Sequence, residues 1–411
     1  MKGNVIVGQS GGPTAVINSS LAGVYRTAVD RGAKKVYGML YGIQGLLDEQ
    51  YVDLSKYIRS DLDVEILKRT PSAFLGTCRY KLPDIHENQE IYVKIFEILN
   101  KLNIECFIYI GGNDSMDTIK KLSDYAILTG QSQKFVGVPK TIDNDLALTD
   151  HTPGYGSAAK YIATSTKEVI RDGIGFSYKK QQVIIIEIMG RNAGWLTGAA
   201  ALSRGEDCDG PDLIYLPELT FDIEKFTAKV RKLLVKKDVV VVAVSEGIRI
   251  QDGRYVSELG SASDYVDAFG HKQLTGTASY LANVIHRDIG CKTRAVEFST
   301  LQRSAAHLAS RVDVNEAFMV GGAAVKAADE GDSGKMVVID RVSDDPYQCA
   351  TGIYDVHKIA NGEKLVPREW ITKDGTYVTE EFIDYVRPLI QGDSPSVMVD
   401  GIPRHLYMGK K

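Results

Sequence analysis

The sequence has too little of several features to belong to many kinds of protein. Its 411 residues contain no apolar run approaching the ~18 residues of a membrane span. The formal net charge of -4 gives no bulk attraction for nucleic acid or an anionic membrane, so neither is expected as a partner. Five cysteines (Cys78, Cys106, Cys208, Cys291, Cys349) are widely spaced, odd in number and form no CxxC pair. That pattern disfavours a disulfide framework and a zinc site, and a reducing cytoplasm is the expected setting. No GxxxxGK[ST] run occurs, and the histidines show no HExxH spacing. The start, MKGNVIVGQSGG, breaks into glycines after a short apolar run, unlike a secretory signal. There is no solenoid repeat and no low-complexity tract.

What is present is an alternation. The short apolar runs NVIVG (4–8), KKVYGML (34–40), CFIYIGG (106–112), KFVGVP (134–139), QQVIIIEIMG (181–190), LIYLPE (213–218), DVVVVAVSEG (238–247) and KTRAVEFS (292–299) predict buried strands. Between them, VINSSLAGVYRTAV places Val16, Ile17, Leu21, Val24 and Val29 at helical spacing. FDIEKFTAKVRKLL does the same with Ile223, Phe226, Val230, Leu233 and Leu234. Strands alternating with helices imply mostly parallel sheets covered on both faces. At 44% hydrophobic and 25% charged, a chain this long is expected to form two α/β domains, with a boundary near 145–155 where TIDNDLALTDHTPGYG interrupts the pattern.

The polar motifs GQSGG, GGNDS, PKTIDND, MGRNAG and SEG each fall where a strand has just ended, which is where open parallel sheets bind ligands. GQSGGPTAVIN (8–18) is strand, glycine turn and helix start. It suits an anion at the helix N-terminus, or is simply a tight turn. GGNDS (111–115) has the same two readings. PKTIDND (139–145) packs Lys140, Thr141, Asp143 and Asp145 into one short stretch, either as a cation- and phosphate-handling site or as a solvated acidic turn. In MGRNAGW (189–195), Arg191 can fork onto phosphate or carboxylate oxygens, or lie on the surface. GYGSAA (154–159) matches GxGxxA but follows a loop, so it is discounted as a dinucleotide fingerprint. The polar, Gly-rich stretch 247–274 reads as an excursion containing a hairpin, and nothing is assigned after Asp340.

In order, GQSGGPTAVIN, SAFLGTCR (72–79), GGNDS, PKTIDND, MGR, SEG (245–247) and TRAVEFSTLQR (293–303) resemble the phosphofructokinase family over nearly the whole chain. The resemblance implies two Rossmann-like, three-layer αβα domains. Residues 1–150 with roughly 302–350 would bind the phosphoryl donor. Residues 151–301 would bind fructose 6-phosphate and carry the insertion at 247–274, leaving 351–411 as an extension. It implies Asp143 as the base for the sugar 1-hydroxyl, with Thr141, Ile142 and Asp145 beside it. Met189, Gly190, Arg191 and Glu246 would line the sugar site, and Thr300 stands where short forms have a histidine. Arg303, with Arg294 from a neighbouring subunit, would hold the 6-phosphate. Gly11, Gly12 and Gly112 would approach the donor, and Arg79 would neutralise the transferred group. Mg²⁺ is implied as cofactor, with Asn113 and Asp145 as candidate ligands, and so is a homo-oligomer, dimer or tetramer.

ATP-using members of that family resemble GGDGS at the strand end and carry glycine in place of both Asp114 and Lys140. Like charges 4 Å apart at an effective ε of 20 repel by about 4 kcal/mol, roughly three decades in affinity. The Asp114–Lys140 combination therefore resembles the pyrophosphate-dependent branch, with an ATP-dependent enzyme and a non-catalytic regulatory subunit as alternatives. Gln182 replaces an arginine of the short forms, which turns attention to Lys179, Lys180 and Arg287 for the 6-phosphate.

Overall fold

A computed structural model describes residues 1–260, 274–359 and 362–409. In chain order the strands are β1 (Asn4–Gln9), β2 (Val36–Met39), β3 (Tyr51–Asp53), β4 (Ile104–Gly111), β5 (Lys134–Pro139), β6 (Gln182–Ile188), β7 (Leu213–Tyr215), β8 (Val239–Ser245), β9 (Lys292–Glu297), β10 (Lys335–Asp344) and β11 (Tyr347–Asp355). These form two sheets, and a separate short antiparallel pair joins Met398–Val399 to Ile402–Pro403. The first has order β11-β10-β5-β4-β1-β2-β3 and the second β7-β8-β6-β9. Within these two sheets all pairings are parallel except β2 with β3 and β10 with β11.

The central strands are buried along their whole length, as continuous Val/Ile runs require when helices cover both faces. Helix Ile17–Asp30 packs against Arg311–Glu330, where a Cβ on Gly23 would lie 2.0 Å from the Phe318 carbonyl oxygen. Only glycine permits that approach. Val29 does not join this face and is 47% exposed. Ala28, four residues after Val24, takes the inward position instead.

Registry aligns the strand ends that carry the motifs. Gln9 pairs with Ile110 and Gly111 with Pro139. In the second sheet Ile188 pairs with Ser245 and Glu187 with Glu297. The motifs therefore open into one cleft between the sheets. Of the excursion, residues 247–260 and 274 are described, with an Arg249–Tyr255 bridge and the 3-10 turn Val256–Leu259, while 261–273 lie outside the described residues. The C-terminal segment is folded. Phe382, Ile383, Val386 and Leu389 enter the core beside the second sheet, and Leu406 and Met408 pack against the first.

Candidate active site

The cleft has a volume of about 1100 Å³. One wall of the cleft, expected to face the phosphoryl donor, is the loop after β1, the start of helix Asn113–Thr129 and Lys140 just after β5. Gly11 sits at φ +75°, and a Cβ there would come within 3.2 Å of Lys140 Nζ. The lysine itself donates to the Gly12 carbonyl at 2.8 Å. Burial brings its amine down to about 8, against the opposing pull of Asp143 and Asp145. Arg303 reaches the same loop, its guanidinium 3.4 Å from where a Cβ on Gly12 would stand. Arg79 lines the cleft and lies close enough to lower the proton affinity of both Arg303 and Lys140. Three cations thus converge on one space, an arrangement that an anion relieves.

The opposite charge comes from TIDNDL. Asn144 and Leu146 are buried away from the cleft, while Thr141, Asp143 and Asp145 face it and the largely buried Ile142 also lines it. Asn144 holds this alternation with a left-handed φ of +55°. The Asp143 amide and carboxylate close on Thr141 Oγ1 at 3.1 and 3.4 Å, fixing the carboxylate's direction. Burial raises the Asp143 pKa, opposed by Lys140, the Thr141 hydroxyl, Arg191 and Arg303. A base with raised proton affinity and nearby cations suits removal of a hydroxyl proton.

The opposite wall, expected to face the acceptor, comes from the second sheet. Met189 and Arg191 follow β6, and Glu246 follows β8. Burial pushes Glu246 up to about 8, with Asp143 and Glu187 adding to the shift. Gly190 is absent from the cleft lining, its carbonyl accepting the Ser245 hydroxyl beside it. Thr300 stands at the exposed rim.

Several sequence candidates lie elsewhere in their own chain. Arg294 is on the exposed edge strand β9, paired with Asp172 at 2.9 Å and outside the cleft. Gln182 is buried at the far end of β6, donating to the Gly173 carbonyl, with Lys179 and Lys180 just before it. Arg287 pairs with Asp288 on the surface. Asp114 does line the donor wall, but it is exposed. Solvent screening reduces its repulsion below the sequence-based figure. Its place in the first turn of helix Asn113–Thr129 matters more, because the carboxylate occupies the positive end of the helix dipole.

Sequence reasoning missed Glu187, Gln302, Lys81 and Glu363. Glu187 accepts the Ala278 amide at 2.8 Å, and burial pushes its carboxyl up to about 7. Gln302 holds the Met189 amide at 3.2 Å. Glu363 arrives from the C-terminal segment and accepts from Asn192 at 2.9 Å. A lone acid in NGEKLVP carries no local signal of this.

Among the described residues no group of three or more His, Cys, Asp or Glu is gathered to hold a metal unaided. The residues nevertheless suit a phosphate-bound Mg²⁺. Asn113 Oδ1 is buried without a hydrogen-bond partner. Burial raises Asp145 to about 7, with Asp143 and Glu363 adding to the shift, so added positive charge would relieve the cluster. Mg²⁺ ordinarily takes one or two carboxylates, with water and phosphate completing its shell.

Two mostly parallel sheets meeting at a large cleft lined by charged side chains define an α/β protein with a site suited to phosphorylated polar ligands. The chain belongs to the phosphofructokinase family, whose match spans residues 4–328. It is 43% identical to the pyrophosphate–fructose 6-phosphate 1-phosphotransferase of Xanthomonas campestris pv. campestris, covering 99% of this chain and 96% of that one. The Halomonas elongata protein of the same name is 40% identical over 99% and 96%. The crystal structure of a pyrophosphate-dependent phosphofructokinase from Nitrosospira multiformis superposes with a TM-score of 0.88 at 37% identity, over 98% of this chain and 95% of that one.

Proposed function

We infer that this chain transfers a phosphoryl group from pyrophosphate to the 1-hydroxyl of fructose 6-phosphate, giving fructose 1,6-bisphosphate and phosphate. The observation that carries the mechanism is the meeting of Asp143 with Lys140, Arg79 and Arg303 at one point of the cleft. Asp143 takes the hydroxyl proton. Lys140, from the Gly12 carbonyl, lies against the donor phosphates, and Arg79 and Arg303 meet charge on the transferred group. Met189, Arg191 and Glu246 position the sugar, so that the hydroxyl is held in line rather than found by collision. Asn113 and Asp145 would hold Mg²⁺, which supplies charge neutralisation of the phosphates. Asp114, at the helix start, fills the place where a third phosphoryl group would seek the dipole, and so favours pyrophosphate over ATP.

Arg294 sits on an open sheet edge away from its own cleft, which supports a homo-oligomer in which it serves a neighbour. The cytoplasm is the proposed setting, and no helix among the described residues is long and apolar enough to cross a membrane. The test is a coupled assay with purified protein, Mg²⁺ and fructose 6-phosphate, supplied with pyrophosphate or ATP. Turnover with pyrophosphate, and reverse turnover from fructose 1,6-bisphosphate and phosphate, is expected. Turnover with ATP alone, or with neither donor, would overturn the reading.

A further inference from the structure

The catalytic loop is held from behind by a segment far away in sequence. Leu146 forms an antiparallel bridge with Glu363, and the Lys364 amide donates to the Asp145 carbonyl at 2.8 Å. The Lys364 ammonium turns inward. It donates to the Asp150 carbonyl, to the Thr149 carbonyl at 3.3 Å and to Asn144 Oδ1 at 3.4 Å. Asn144 Nδ2 in turn donates to the Tyr385 hydroxyl at 2.9 Å, and that hydroxyl donates to the Asp150 carbonyl at 2.6 Å. Asn144 is fully buried in its left-handed conformation, directly between the two cleft-facing acids.

We propose that Lys364 and Tyr385 are positioning residues for phosphoryl transfer, clamping Asn144 so that Asp143 and Asp145 both stay turned toward the cleft. The inference rests on the functional reading above. Its physical logic is that an asparagine held left-handed at φ +55° has little intrinsic preference for staying there. Two outside groups bond both ends of its amide, and the Thr152 amide donates to the same Oδ1 at 3.1 Å. A cation inside this segment is a poor choice for packing alone, since its hydrogen-bond acceptors here are carbonyls, an amide and the Tyr385 hydroxyl, and none is a carboxylate. Burial accordingly brings the Lys364 amine down to about 8. The same residue also ties the loop to the second sheet's side. The Trp195 indole donates to the Lys364 carbonyl at 2.8 Å, and the ammonium lies 5.1 Å from the center of the Trp195 ring. One residue, through both backbone and side chain, thereby fixes the base relative to the second sheet.

The test uses the full chain in steady-state kinetics with pyrophosphate and fructose 6-phosphate. Tyr385→Phe keeps the ring among Trp195 and Trp370 and removes only the hydroxyl. It should lower kcat about tenfold, and Lys364→Met should lower it roughly 10²-fold, the cost of a small misplacement of a reacting group. KM for both substrates, and the calorimetric Kd for fructose 6-phosphate, should stay within about twofold of the parent. Lys364→Arg should recover part of kcat, and the double variant should lose less than the product of the single losses. Variants that keep the parent kcat overturn the inference, as does a kcat loss that vanishes well below each variant's own Tm. A parent chain inactive with pyrophosphate would instead overturn the functional reading on which it rests.

Discussion

The Lys140 ammonium donates to the Gly12 carbonyl at 2.8 Å, joining the ends of β5 and β1 at the floor of the cleft. One residue thereby serves as both a structural tie and the cation nearest the donor loop. Its position also sets a pH limit, because burial brings its proton affinity close to neutrality.

Lys140→Met should lower kcat with pyrophosphate by roughly 10³-fold, the range for removing one preorganised charge from a reacting phosphate. An ammonium with a pKa of about 8 loses its proton as pH rises, so activity of the parent should fall on the alkaline side near that value. Glu246 titrates in the same region, at about 8. The alkaline limb should therefore survive in Glu246→Gln and vanish in the residual activity of Lys140→Met. The opposite pattern in pH profiles of kcat/KM would assign the limb to the glutamate.

Asp143→Asn should reduce kcat by about 10³- to 10⁴-fold while KM for fructose 6-phosphate changes little, as for loss of a general base. The carboxylate works unprotonated, so parent activity should rise with pH through a pKa raised above the ordinary aspartate value by burial. The acid limb should be absent in the variant. An intact acid limb would place the base elsewhere.

Donor choice should follow two residues. Asp114→Gly together with Lys140→Gly should collapse pyrophosphate turnover and strengthen inhibition by, or binding of, ATP measured by calorimetry. Asp114→Gly alone should show the smaller change, since its carboxylate is exposed and screened. Unchanged donor preference in the double variant would remove these side chains from the selectivity argument.

The legible parts of this molecule were local ones. Each apolar run from NVIVG to KTRAVEFS contains an observed strand, but KTRAVEFS, expected to be buried, forms the edge strand β9, which is largely exposed because only one side of it is paired. TIDND stood out because no ordinary turn needs two acids and a lysine in that space. What escaped was non-local. Lys364 and Tyr385 act on Asn144 across 220 and 241 residues of chain, and neither NGEKLVP nor the helix Glu380–Val386 has a spacing that announces a partner. The β10–β11 hairpin escaped for a related reason. It lies at the sheet edge, where β11 is only partly buried and its sequence is correspondingly mixed. Asp114 lines the cleft, yet its exposure depends on the cleft mouth and could not be read from its neighbours in sequence.

The buried pair of contacts made by His151 gives a stability prediction away from the chemistry. Its Nδ1 meets Asp150 and its Nε2 meets Glu316, both at 2.7 Å, while Tyr347 and Cys349 also donate to Glu316. Burial alone would lower the imidazole pKa, but Glu316 and Asp150 outweigh it and raise it from 6.5 to about 9. A group whose folded pKa exceeds its unfolded one stabilises fully below the unfolded value and loses that contribution as pH rises through the folded value. The gap from 6.5 to about 9 corresponds to something on the order of 3 kcal/mol. The parent should therefore lose more stability than His151→Gln between pH 6.5 and about 9, measured as urea midpoints at matched ionic strength. Parallel declines in the two proteins would mean that the imidazole is neutral in the folded state.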